Sequence, residues 1–84
     1  MEEREYSLIT TYFKEKYVST IYRRASTFEP IWYFETAVFE WNPREKKVGK
    51  LISMIDSGMC ERSAIKSHFL IVEKLNTQLE NEDF

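Results

Sequence analysis

Ile31-Trp32-Tyr33-Phe34-Glu35-Thr36-Ala37-Val38-Phe39-Glu40-Trp41 is the stretch whose reading decides the fold. It is aromatic and β-branched, holds no Gly or Pro, and follows Pro30, so it reads as a β-strand. Trp32, Phe34, Thr36 and Val38 fall on one face of that strand. Ile31, Tyr33, Glu35, Ala37, Phe39 and Trp41 fall on the other. Both faces are apolar, whereas a strand wetted on one side alternates apolar and polar residues. Two readings follow: the N-terminal segment wraps the second face, or that face is an exposed aromatic patch of the kind that marks interaction sites.

Working outward, Asn42-Pro43-Arg44-Glu45-Lys46-Lys47 is a polar turn, and Val48 to Ile55 returns as a second strand to make a hairpin. Upstream, Tyr17 to Arg24 contains Val18-Ser19-Thr20-Ile21 and reads as a further strand, joined to the hairpin through Ala25 to Pro30. Downstream, Glu61 to Glu80 is helical. Ile65, His68, Val72, Leu75 and Leu79 recur at spacings of three and four, widened by Ala64 and Ile71. Ser57 and Gly58 supply the turn before this helix, and Glu61 favours the positive end of its dipole. In the first sixteen residues, Tyr6, Ile9, Phe13 and Tyr17 share a helical spacing although Ile9-Thr10-Thr11 is poor helix material. That spacing predicts an N-terminal helix. The expected fold is α+β: a three-stranded antiparallel sheet with a C-terminal helix on one face, in the order α-β-β-β-α. It forms one domain over residues 1–84, with residues 81–84 as a mobile acidic tail.

The totals narrow the function classes. Eighty-four residues allow one domain, and six Phe, five Tyr and two Trp let so short a chain assemble a core. The single cysteine, Cys60, excludes an intramolecular disulfide and any C-x-x-C zinc pair. No apolar run approaches the roughly 18 residues that span a bilayer. Met1-Glu2-Glu3-Arg4-Glu5 lacks the basic-then-apolar order of a signal peptide. A soluble protein of the reducing cytoplasm is expected. A formal charge of -2 gives the chain as a whole no electrostatic reason to seek nucleic acid or anionic lipid.

Catalytic chemistry finds little footing. Cys60 and His68 are eight residues apart, about 12 Å of rise along one helix, too far to share a hydrogen bond. His68 lies in the apolar stripe and reads as a packed histidine bonded to backbone or water; with no second histidine, a metal site is not expected. Glu35 interrupts an aromatic face, where an unpaired carboxylate is costly, and is expected to pair with Arg23 or Arg24, with His68, or with a partner. No Gly-rich phosphate loop, cofactor motif or small-molecule substrate site is evident. Arg23, Arg24, Arg44, Lys46, Lys47 and Lys50 gather among aromatics and could contact nucleic acid through phosphates and stacking, against the neighbouring Glu29, Glu40 and Glu45.

Tyr33-Phe34-Glu35-Thr36-Ala37-Val38-Phe39, followed by Ala64, His68 and Val72, resembles short phage and prophage proteins that carry Tyr-Glu-Thr-Met-Val-Phe on a hairpin strand before an Ala-x-x-Gly-His-like helical step. Here Phe34 is inserted, Ala37 stands in the Met position and Ser67 in the Gly position. The resemblance spans roughly residues 31–75 and implies a mobile-element protein of unknown function, in the host cytoplasm, with no active site to carry over. The α-β-β-β-α order also resembles a double-stranded-RNA-binding domain, which implies a lysine-rich start to the second helix. Gly58-Met59-Cys60-Glu61-Arg62-Ser63-Ala64 offers one base and one acid there. The expected function is therefore a non-enzymatic interaction protein. It binds a protein partner or a second copy of itself through Tyr33, Glu35, Phe39 and Trp41. The alternative is a nucleic-acid-binding module.

Overall fold

The computed structural model describes residues 4–25 and 30–82. Four strands, β1 (Tyr6–Phe13), β2 (Lys16–Arg24), β3 (Trp32–Asn42) and β4 (Lys47–Asp56), precede one helix, α1 (Glu61–Glu82). The strands form a single antiparallel sheet in chain order, β1-β2-β3-β4. The fold is α+β with the C-terminal helix on one face, but the sheet has four strands rather than three. The N-terminal segment is β1, not a helix, so the double-stranded-RNA-binding-domain order does not hold. α1 runs through Glu82, overlapping the expected tail; residues 83–84, and 26–29 of the expected link, lie outside the described residues.

Local chemistry accounts for the turns. β1 and β2 are joined through Lys14 and Glu15, with Lys14 at φ 55°. Between β3 and β4 the Asn42 side-chain oxygen accepts the backbone N–H groups of Arg44 (3.0 Å) and Glu45 (3.1 Å), an Asx turn that Pro43 suits by its fixed φ. Gly58, at φ +84°, turns the chain from β4 toward α1 in a conformation that costs a side-chain-bearing residue energy. The sheet also holds irregularities. β1 shifts register between Ser7 and Ile9, and β4 shifts twice, opposite Val38–Phe39 and Phe39–Trp41.

α1 packs across β1, β2 and β3. Val18, Phe34 and Val38 of the sheet and Ala64 of α1 are buried, as are the side chains of Thr20, Thr36 and His68. Burying a Val or Phe contributes about 1.5–3 kcal/mol. Among the described residues three such side chains and Ala64 make a small apolar core. All ten residues of β4 are exposed, including Val48, Leu51, Ile52, Met54 and Ile55.

Candidate protein-interaction face and a buried histidine

Register decides which residues share a face. Val18 pairs with Val38, Thr20 with Thr36 and Tyr22 with Phe34, and these point toward α1. Tyr17 pairs with Phe39, Ser19 with Ala37, Ile21 with Glu35 and Arg23 with Tyr33, on the opposite face. From β1 that opposite face gains Tyr12, and from β4 it gains Val48, Leu51, Met54 and Asp56. Among the described residues no helix or strand lies across it. Tyr33, Glu35, Phe39 and Trp41 thus all stand on the open side of the sheet.

The face has two ends of different character. At the end nearest the two hairpin turns, Tyr12, Tyr17, Phe39 and Trp41 form an aromatic cluster. Tyr12–Trp41 centroids are 4.6 Å apart, Tyr12–Tyr17 5.1 Å and Tyr17–Phe39 5.9 Å, in the tilted and edge arrangements that ring quadrupoles favour. At the far end Arg23 Nη1 donates to Glu35 Oε1 (2.8 Å) and the Tyr33 hydroxyl donates to Glu35 Oε2 (2.8 Å). The carboxylate, through its hydrogen bond above all, raises the Tyr33 phenol above its ordinary range and does the same for the Arg23 guanidinium. Glu35 is therefore paired with Arg23, one of its expected partners. Both oxygens of its carboxylate are engaged.

The other bases are spread. Arg24 ends β2; Arg44 and Lys46 sit in the β3–β4 turn, while Lys47 and Lys50 belong to β4. The open cleft beside this turn carries Glu15, Glu40 and Glu45 as well as Lys16, Arg44 and Lys47. Charges of both signs at equal number give a phosphate backbone little net attraction.

Beneath α1 lies a second arrangement that sequence reasoning missed. His68 is 0% exposed, with Nδ1 2.8 Å from Thr20 Oγ1 and Nε2 2.8 Å from Thr11 Oγ1. Thr20 Oγ1 is 2.6 Å from Thr36 Oγ1, which is 2.7 Å from Ser57 Oγ. The ring nitrogens meet threonine side chains, not the backbone or water expected. Burial lowers the His68 pKa, so the neutral ring is favoured. The hydrogen-bond partners of the ring are threonine hydroxyls. At the start of α1, Cys60 is the N-cap: its carbonyl accepts from Ala64 N–H (2.9 Å), and backbone N–H groups of Ser63 and Arg62 hold its thiol below the ordinary range. Among the described residues no cluster of three or more His, Cys, Asp or Glu could hold a metal ion, and no helix is long and apolar enough to cross a membrane.

No protein-family model, curated protein or solved structure matches the chain.

Proposed function

We propose that this chain is a non-enzymatic interaction protein that binds protein through the open face of its sheet. The observation that carries this reading is the aromatic cluster Tyr12–Tyr17–Phe39–Trp41 on a face that no described element covers. Rings and an arginine held in place at a surface supply large contact area at low entropic cost, which is why such residues dominate protein interfaces. Trp41 and Phe39 are the anchors, and the Arg23–Glu35–Tyr33 array sets orientation. A photo-crosslinking residue placed at position 39 tests this in cells, with one at the exposed helix position 66 as reference. Discrete protein adducts from position 39 and none from 66 are expected; no adduct from position 39 overturns the reading.

A further inference from the structure

α1 is docked on the sheet through an ionisable side chain. Among its described residues Ala64 and His68 are the two that are fully buried, while Ile65, Ile71, Val72 and Leu75 are only partly covered. The His68 ring reaches two strands at once, Thr11 of β1 and Thr20 of β2, each at 2.8 Å. From Thr20 the row of hydroxyls continues through Thr36 to Ser57. A neutral imidazole needs one donor and one acceptor, and two hydroxyls supply them in either tautomer. A protonated ring is a buried cation, which hydroxyl dipoles solvate without neutralising.

The charged groups around the ring stand too far off to take that role. On the face that α1 covers, Lys16 and Glu40 pair at the end near the hairpin turns, and Arg24 ends β2 at the other. Each is four residues along its strand from Thr20 or Thr36, about 13 Å of extended chain. Tyr6 and Tyr22 add phenols there, which carry no negative charge near neutral pH. β1 has no charged residue. Asp56, next to Ser57, is exposed and accepts the Gly58 N–H. Along α1 the residues one turn from His68 are Ala64, Ile65, Ile71 and Val72, and the charges Glu61, Arg62, Lys66, Glu73 and Lys74 are all exposed.

We propose that His68 makes α1 a pH-gated latch: a proton taken up by the buried ring releases the helix from the sheet while the four strands stay paired. The connection between them allows this. Ser57 N–H donates to Phe34 O and Phe34 N–H to Gly58 O, both at 2.7 Å, so β3 holds the chain as far as Gly58. Met59 and Cys60 are then the hinge. α1 follows all four strands in chain order, so its departure breaks no ladder. It uncovers Val18, Phe34 and Val38, an apolar row across β2 and β3. Burial holds the docked ring below its ordinary range, so the released ring binds the proton first as pH falls. The ratio of released to docked chains rises by up to tenfold for each pH unit below about 6.5.

The test is amide hydrogen exchange resolved by residue between about pH 7.5 and 5.5, expressed as protection relative to an unfolded chain at the same pH. A released helix of this length is marginal in water and frays, so its amides report the release. The expected result is protection in α1 at least about tenfold below that in the β2–β3 ladder at every pH, as a sub-global opening requires. Protection in α1 should also fall by up to about tenfold per pH unit in the wild type and stay level in His68→Gln. Equal protection in α1 and the β2–β3 ladder overturns the latch, because the helix and sheet then open as one unit. A wild-type α1 insensitive to pH, or a His68→Gln chain with the wild-type slope, overturns it by removing the ring as trigger. Should His68→Gln fail to fold, proton titration of the ring replaces it, since His68 is the one histidine of the chain. A midpoint below 6.5 is then expected, and one at or above 6.5 overturns the proposal.

Discussion

The hydroxyl of Thr20 lies 2.8 Å from Nδ1 of His68 in a core where neither side chain reaches solvent. Thr20 also meets Thr36, and its one proton can serve only one of these two neighbours. Thr20→Val keeps the shape and removes this link, leaving His68 Nδ1 and the Thr36 hydroxyl short of a partner. The expected loss is about 1–3 kcal/mol. Urea unfolding measures it, and a loss under half a kcal/mol would show that the link adds little.

His68 also makes stability depend on pH. Burial lowers its pKa in the folded chain below 6.5, so the unfolded chain takes up a proton first as pH falls. Its contribution is complete above the unfolded value. It declines as pH drops below about 6.5, with a slope of at most about 1.4 kcal/mol per pH unit, until the folded value is passed. Urea midpoints between pH 7.5 and 5.5 should show this slope in the wild type and not in His68→Gln. Equal slopes would place the titration elsewhere.

Tyr33 gives an alkaline counterpart. Its hydrogen bond to Glu35 raises its pKa above 10, so that bond stabilises the fold below pH 10 and is lost as pH climbs through the raised value. Ultraviolet titration should show one tyrosine ionising at lower pH in Glu35→Gln than in the wild type, and an unchanged curve would count against the Glu35 bond as the cause. Tyr33→Phe should cost about 0.5–1.5 kcal/mol, since the bond is only partly buried.

Gly58 holds φ +84° with open space around its missing Cβ. Gly58→Ala meets no neighbour, so its cost is confined to the backbone, about 1–2 kcal/mol. Gly58→Asn should cost less, because Asn enters this region more readily. Thermal melts of the pair give the ordering, and equal melts for both would assign the cost to something other than φ.

Much of this architecture is legible in the chain. The helix, the β3–β4 hairpin and β2 follow from apolar spacing and turn residues, and the Glu35–Arg23 pair follows from the cost of an unpaired acid among rings. The N-terminal strand was hidden by its own bulge. Tyr6 pairs with Tyr22 and Ile9 with Thr20, so residues three apart share a face through the register shift and mimic a helical step. Ile9 and Phe13 share a face in a strand as readily as on a helix. The run Ile9-Thr10-Thr11 was the signal that deserved the greater weight. Tyr12 joined the aromatic cluster unseen for the same reason. The histidine network was also missed, because its members are spread over β1, β2, β3 and α1 and the turn before it. Its one trace is a threonine pair, Thr20 and Thr36, on the side of the sheet that α1 covers.

The strand order sets an expectation for how the chain folds. Each strand pairs with its neighbour along the chain, so every ladder closes a short loop and can form early at small entropic cost. The Thr11–His68 contact bridges 57 residues, far more than any ladder, and ties the first strand to the helix through a side-chain hydrogen bond. Docking of α1 is then the late step. Substitutions at Thr11 should leave the folding rate nearly unchanged and speed unfolding, so the histidine latch governs how long the folded chain persists rather than how fast it forms.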